Sequence, residues 1–307
     1  MLYFPLELLQ IYKSDDYPKI RLGRGKDGGY VIIDGLEYDL LLGCGISNDD
    51  SFEHCFLKKY TKINCFAFDG TIKNLPNSHE RINFVKKNIS DKNSNNTTNL
   101  HKIINNYQNI FLKMDIEGCE YKWLHSLSNE HLSKISQIVI EFHSKYFNLP
   151  RFNDKYLYSV FEKLNKTHYL MHLHGNNFKK TALYNGYCVK VGSSNCNIKK
   201  IKLDKKYKKN TNIVLKHHNK VHKFEIKIEN KTLIVRRIDQ NKGWNYVHKV
   251  LIGGNQIPDV FECTFVRKDL VNAVYKHNNK IPCELDMKNC LKKNEIELKG
   301  YPYNNLN

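Results

Sequence analysis

Residues 111–121 read FLKMDIEGCEY. An apolar run with strand character stops at Asp115, and the carboxylates of Asp115, Glu117 and Glu120 crowd around Gly118 directly behind it. An ordinary strand turns polar less abruptly, and an ordinary helix does not carry glycine in its first turn without a reason. The helical stretch EYKWLHSL follows at once. Strand, tight acidic loop and helix in this order are one repeat of an α/β fold, with the loop at the strand's carboxyl end.

Working outward, the same unit recurs. In YDLLLGCGISNDDSFEHCFLKKY (38–60) the strand Leu40–Leu42 runs into Gly43-Cys44-Gly45, then into a polar turn and a helix. Asn48, Asp49, Asp50 or Ser51 is available to cap that helix. The segment NCFAFDG (64–70) reads as a buried strand ending in Asp69, and INFVKKNIS (82–90) as another. A short helix is expected over Leu100–Tyr107, before the strand that opens this section. Downstream come the strand QIVIEFH (137–143), the amphipathic helix NDKYLYSVFEKLNKT and the strand HYLMHLHGNN (168–177). DGGYVIIDG (27–35) reads as a glycine turn and a short strand. Continuous apolar strands alternating with helices predict an open, mostly parallel sheet with helices on both faces.

The alternation stops at Phe178. From 178 to 256 the chain is rich in Lys and Asn, with short alternating runs such as GYCVKVG, HKFEIKIEN, TLIVRRID and KVLIGG. These predict a small antiparallel β insert. IPDVFECTFVRKDL (257–270) returns to the apolar pattern of the main sheet, and the tail from Lys292 is polar and expected to be irregular. The expected division is therefore 1–177 with 257–307 as one domain, and 178–256 as the insert.

Across 307 residues the formal charge is +18, but the basic residues are overwhelmingly Lys, in company with much Asn, Ile and Tyr. AT-rich codon usage and a solvated Lys-rich surface account for such a mixture, and Arg, the bidentate phosphate ligand, is scarce. The nine cysteines form no C-x-x-C pair, and several sit inside apolar runs. Buried free thiols in a reducing compartment are expected, in place of a disulfide frame or zinc site. The N-terminus lacks the basic-then-apolar pattern of a signal peptide, and no apolar run reaches membrane-spanning length. A soluble cytoplasmic protein is the expectation.

In an open α/β sheet the ligand lies beyond the carboxyl ends of the strands. Gly43 and Gly45 sit at the first of these ends, Asp69 at the second, Asp115 at the fourth, and Glu141 and His143 at the fifth. Glycines there let backbone approach a ligand beside a helix N-terminus, and a strand-end acid can take both hydroxyls of a ribose. The pair points to an adenosine-type cofactor. Strand period places Glu141 and His143 on one side, within reach of Asp115, as a set that suits Mg²⁺ or Mn²⁺ or a lone base at His143. His172 and His174 also share a face, where a structural role is expected. In the insert, Trp244 could stack on a sugar ring or base, and Arg236 with Arg237 could grip a phosphate.

FLKMDIEGCEYKWL resembles the K-[IM]-D-[IV]-E-G-x-E-x-x-x-L signature of FkbM-type S-adenosylmethionine-dependent methyltransferases. DGGYVI, GISNDDSFE, FAFDGT, IVIEFH, HLHGNN and IPDVFECTFVRKDL agree with that family in order. The resemblance covers 20–177 and 257–290. It implies a class I, Rossmann-like methyltransferase sheet, mostly parallel with an antiparallel last strand, and the insert placed between the last two strands. Gly43 and Gly45 then match the first cofactor loop, Asp69 the ribose acid, and Asp115 the loop beside the reacting centre. Asp115 and His143 become the catalytic candidates, Asp115, Glu141 and His143 the metal candidates, and Arg236, Arg237 and Trp244 the substrate contacts. The implied reaction is O-methylation of a glycan or nucleotide-sugar hydroxyl. The alternatives are RNA 2′-O-methylation, to which Asp115, Lys145 and Glu262 could contribute, and a non-catalytic carbohydrate- or partner-binding protein on the same scaffold.

Overall fold

The structure is a computed structural model that describes residues 6–143, 154–178, 211–217, 220–229, 232–237, 250–251, 258, 260–272, 274–277, 279–299 and 303. Seven strands make the main sheet: β1 (Leu40–Cys44), β2 (Asn64–Phe68), β3 (Ile82–Val85), β4 (Ile110–Met114), β5 (Ile135–His143), β6 (His168–Gly175) and β7 (Val260–Arg267). Their spatial order is β6-β7-β5-β4-β1-β2-β3. All run parallel except β7, which is antiparallel to both of its neighbours. The protein is therefore α/β, with a mixed and mostly parallel sheet.

Strands β1, β4 and β5 are buried along their whole length, as the unbroken apolar runs require of a sheet covered on both faces. One face packs under α1 (Ser51–Lys59) and the hairpin Lys19–Leu22/Tyr30–Ile33, where the rings of Phe56 and Phe111 lie 4.4 Å apart. Beyond α2 (His101–Ile104), the opposite face meets α3 (Glu120–Ser126), α4 (Asn129–Ser133) and α5 (Asp154–Thr167). There Phe142 of β5 stacks within 5.1 Å of Tyr121 and 4.8 Å of Phe161. The hairpin is held in register by a side-chain amide. Ile33 N donates to Gln137 Oε1 at 2.7 Å, and Gln137 Nε2 donates back to Ile33 O at 2.8 Å.

Local expectations differ in two places. Helix α2 is shorter than Leu100–Tyr107, with the weak helix formers Asn105 and Asn106 directly behind it. Asp50 stands at the N-cap of α1 but makes no side-chain cap bond; its carboxylate accepts from Asn77 N and Nδ2, each at 2.8 Å. Asp49 Oδ1 takes over by accepting from Ser51 N at 3.1 Å.

The chain divides into two compact units, Leu6–Leu183 with Ile257–Asn307, and Tyr184–Gln256 with Met1–Pro5. The smaller unit contains an antiparallel sheet of Thr211–His217, Lys220–Glu229, Thr232–Arg237 and Val250–Leu251. The run GYCVKVG lies outside the described residues. Cys44, Cys65 and Cys263 are buried free thiols, Cys119 is exposed, and Cys55, Cys283 and Cys290 are intermediate. Among the described residues no helix is long and apolar enough to cross a membrane.

Candidate functional site

From β1 the chain proceeds to β2 and β3 on one side of the sheet, while β4 and β5 lie on the other, so the switch in strand order falls between β1 and β4. Their carboxyl ends adjoin, with Asp115 N donating to Cys44 O at 2.9 Å and Gly45 N to Phe68 O at 2.9 Å. Gly45 has φ +80°, and a Cβ there would lie 1.7 Å from Asp115 O, so both conformation and contact demand glycine. A Cβ on Gly43 would stand 2.7 Å from Glu53 Oε1. Beneath this loop the buried Lys113 donates from Nζ to Gly45 O at 2.6 Å and lies 3.7 Å from Glu53 Oε1. Burial alone would lower the Lys113 pKa, but Glu53 and Asp115 outweigh it and hold the ammonium charged.

Asp69 closes β2 in a way the sequence did not disclose. Its Oδ2 accepts from Ile46 N at 3.0 Å and Ser47 N at 2.8 Å, and its Oδ1 from Thr71 N at 2.7 Å and Thr71 Oγ1 at 2.6 Å. Two donors on each oxygen leave little acceptor capacity for a ribose. Here Asp69 anchors the β1 loop. Burial raises its pKa, but the donors from Thr71, Ser47 and Ile46 outweigh it and hold the carboxyl below its usual range.

On the β4 side the charges converge. Asp115 Oδ2 accepts from the Tyr30 hydroxyl at 3.0 Å. His143 Nδ1 lies 3.0 Å from Glu120 Oε1, and its Nε2 lies 3.5 Å from Glu117 Oε2, 3.7 Å from Glu141 Oε2 and 3.8 Å from Asp115 Oδ1. Glu120, at the start of α3, is fully buried, and its Oε1 also accepts from Gly118 N at 3.0 Å. Glu117 takes φ 55°, an unusual conformation for a non-glycine residue, and its side chain is exposed. Burial would lower the His143 pKa, but Glu120, then Asp115 and Glu117, raise it above the ordinary imidazole value. Glu141 moves the other way for a carboxyl. Burial, then Asp115 and Glu262, push its pKa well up, with the Asn176 amide donating to Oε1 at 2.5 Å.

The sequence reading placed Asp115, Glu141 and His143 together, and the structure brings them to one strand-end cluster. Asp115, Glu117 and His143 offer donor atoms that all lie within 4.8 Å of one another. Two hard carboxylates and one imidazole fit Mg²⁺ or Mn²⁺. Glu141 Oε2 faces the same nitrogen at 3.7 Å, while its Oε1 accepts from the Asn176 amide.

A further ring of residues was not anticipated. Glu262 of β7 sits in register with Glu141 and is 4 % exposed. Asn289 Nδ2 bridges Glu262 Oε1 at 3.0 Å and Asp27 Oδ1 at 3.1 Å. Burial raises the Asp27 pKa, and Asp115 and Glu262 add to it. His174 spans Glu262 Oε2 at 3.5 Å and Glu295 Oε1 at 2.5 Å; those carboxylates overcome its burial and lift its pKa to about 10. The only sequence signals were DGG in the hairpin turn and the His-x-His face of β6. His172 is likewise tethered by an acid from the tail region, Asp286 Oδ1 at 2.8 Å, with Cys283 N donating to Asp286 Oδ2 at 2.7 Å. His172, Cys283 and Asp286 form a second set of potential donors, closed by these bonds and by the neighbouring Lys19.

The insert residues fare differently. Arg236 pairs in register with Glu225 and Arg237 with Phe224, so these consecutive residues occupy opposite faces of their sheet. Trp244 and Lys145 lie outside the described residues. Comparison of the chain with protein-family models, with curated proteins and with solved structures finds no match.

Proposed function

We propose that the chain is an S-adenosylmethionine-dependent O-methyltransferase of FkbM type, acting on a hydroxyl of a glycan or nucleotide-sugar. The observation that carries this reading is the meeting of the β1 and β4 loops at the switch point, with Asp115, His143 and Tyr30 gathered around it. Support for the class I variant of the fold comes from a last strand antiparallel to the rest and lodged between β5 and β6. When bound, S-adenosylmethionine supplies a methyl group on a cationic sulfur that departs as a neutral thioether.

The residues present fit such a cofactor in part. A cluster of carboxylates complements a sulfonium charge, and Ser47 and Asn48 at the tip of the β1 loop are exposed for contact. The ribose contact assigned to Asp69 does not fit, because its oxygens already serve the loop. Proton removal from the acceptor falls to His143. Donation from its Nδ1 to Glu120 leaves Nε2 of the neutral ring as the acceptor, facing Asp115 and Glu117. Because the pKa of His143 is raised, the basic form is populated only at higher pH, so turnover should climb with pH through that titration. In the alternative to a lone base, Asp115 and Glu117, with His143 Nε2, would hold a divalent cation, which would supply charge stabilisation for the developing alkoxide in place of proton removal by the imidazole.

Calorimetric titration with S-adenosylmethionine, followed by transfer of labelled methyl to a panel of sugars, glycans and RNA, tests the proposal. His143→Ala should keep cofactor binding and lose turnover by about a hundredfold or more, and Asp115→Ala should lose turnover by at least as much. Absence of any cofactor binding would overturn the reading. Full activity after exhaustive chelation would remove the cation, and full activity of His143→Ala would remove the base. A second reading, with an RNA hydroxyl as acceptor, is favoured by the distribution of charge between the two units.

A further inference from the structure

The net charge of +18 is not spread over the molecule. Tyr184–Gln256 carries seventeen Lys and Arg against four Asp and Glu, a net +13. The larger unit, three times as long, carries thirty-two against twenty-seven, a net +5. Codon bias acts on a whole chain. In the larger unit the many lysines are almost matched by acids, so composition alone does not explain the excess in the smaller one.

The sheet of the smaller unit is organised to tolerate this excess. Strand register puts Ile213, Leu215, Phe224, Ile226, Leu233 and Val235 on one face, together with His222 and Arg237. Lys216, Lys223 and Lys227 fall on the other face, with Arg236 opposite Glu225. A net excess of cations in one compact unit is self-repelling and costs stability unless an anion is nearby. In sequence these cations are interleaved with aromatic residues, including Tyr207 within KKYKK and Trp244 and Tyr246 near Lys242 and Lys249. Lys with interspersed aromatics matches a phosphodiester chain whose bases offer flat faces for stacking. A sulfated glycan offers the charge without that π-face.

We infer that the 184–256 unit is a binding module for single-stranded nucleic acid, held mainly through phosphate charge and with little sequence preference. This rests on the division of charge between the units and not on the methyl-transfer reading, so either can fail without the other.

The test uses the full chain and fluorescence anisotropy with 20-nucleotide single-stranded RNA and DNA of mixed sequence, over a range of salt. Affinity should fall steeply with salt. The combined variant Lys216→Gln, Lys223→Gln, Lys227→Gln should flatten the log–log slope by about 2, three phosphate contacts at about 0.7 each. Removing the same charge from the exposed Lys58, Lys62 and Lys102 of the larger unit should leave the slope within about 0.5 of the parent. Circular dichroism melts of both variants establish that they are folded. Equal slopes for the two triple variants would overturn the inference, as would binding to heparin with none to either nucleic acid. Preference for RNA over DNA would support the RNA acceptor, whereas equal binding would support a tether indifferent to the sugar.

Discussion

On the β1 side of the switch point, polar groups are held by chain partners: Asp69 by four donors, Gly45 O by Lys113, and Lys113 by Glu53. A few ångströms away, on the β4 side, Asp115, Glu117, Glu120 and Glu141 face His143, and Glu262 faces His174 while Asn289 bridges it to Asp27. The first loop is architecture, held by bonds within the chain. The second gathers carboxylates around two imidazoles, with the pKa values of Glu141 and Asp27 raised by burial and by neighbouring carboxylates, the kind of setting in which titratable groups do chemistry. Adjacent loops at one sheet edge can thus divide the labour of shape and chemistry.

The sharpest way to break this comparison is at Gly45, where the two loops touch. Gly45→Ala requires a positive φ at alanine and puts a methyl carbon against Asp115 O. Destabilisation of about 3 kcal/mol or more is expected, with a fall of about 10 °C in the thermal midpoint. An unchanged melt would mean that the loops do not meet as described.

A smaller effect is expected at Asp69. Asp69→Ala leaves Ile46 N, Ser47 N and Thr71 without their acceptor, for a loss of about 1.5–3 kcal/mol at pH 7 in denaturant titration. The folded-state pKa of Asp69 is depressed, so its contribution is present above the unfolded carboxyl value and disappears as pH falls through the folded one. The gap between parent and variant should therefore close below about pH 4. A gap that is constant with pH would show that the charge on Asp69 is not what holds the loop.

The least change is expected at Glu141, on the chemical side. Its raised pKa means that folding favours the protonated acid, so the parent loses stability as pH rises from the unfolded value through the folded one. Glu141→Gln keeps an acceptor for Asn176 and has no proton to lose. It should match the parent to within about 1 kcal/mol at pH 5 and exceed it at pH 8. A variant less stable at pH 8 would mean that ionised Glu141 is balanced by a cation.

Much of this edge was legible in the sequence because it follows from short-range period. Alternation along QIVIEFH was enough to put Glu141 and His143 on one face, and the break after FLKM was enough to end β4 at Asp115. The same rule, applied to Arg236-Arg237, puts these neighbours on opposite faces of their sheet. What stayed hidden depends on contacts across long stretches of chain. Nothing in FAFDGT says that backbone amides of the preceding loop will occupy Asp69. Glu120 reads only as one of three acids around Gly118, yet it holds the ring of His143. Asp27, Asn289 and Glu295 reach the site from a hairpin turn and from a tail that reads as irregular polar chain, so neither period nor motif marks them.

The position of β7 has a bearing on how the molecule is assembled. It is the last strand of the sheet to be synthesised, yet it lies inside the sheet, between β5 and β6, where Ile140 pairs with Cys263 and Leu173 pairs with the same residue from the other side. Until residues 260–267 leave the ribosome, β5 and β6 stand one strand apart, each with an unpaired edge open to wrong partners. The stretch made in that interval is the basic unit. Lengthening the β6–β7 connection from a tight turn to about eighty residues is roughly four doublings, about 2–3 kcal/mol of closure entropy, and it postpones the pairing that completes the sheet. A nascent chain halted before residue 260 should therefore be the form most prone to aggregate, and a charged module that repels its own copies is well placed to keep it apart from others until the gap is filled.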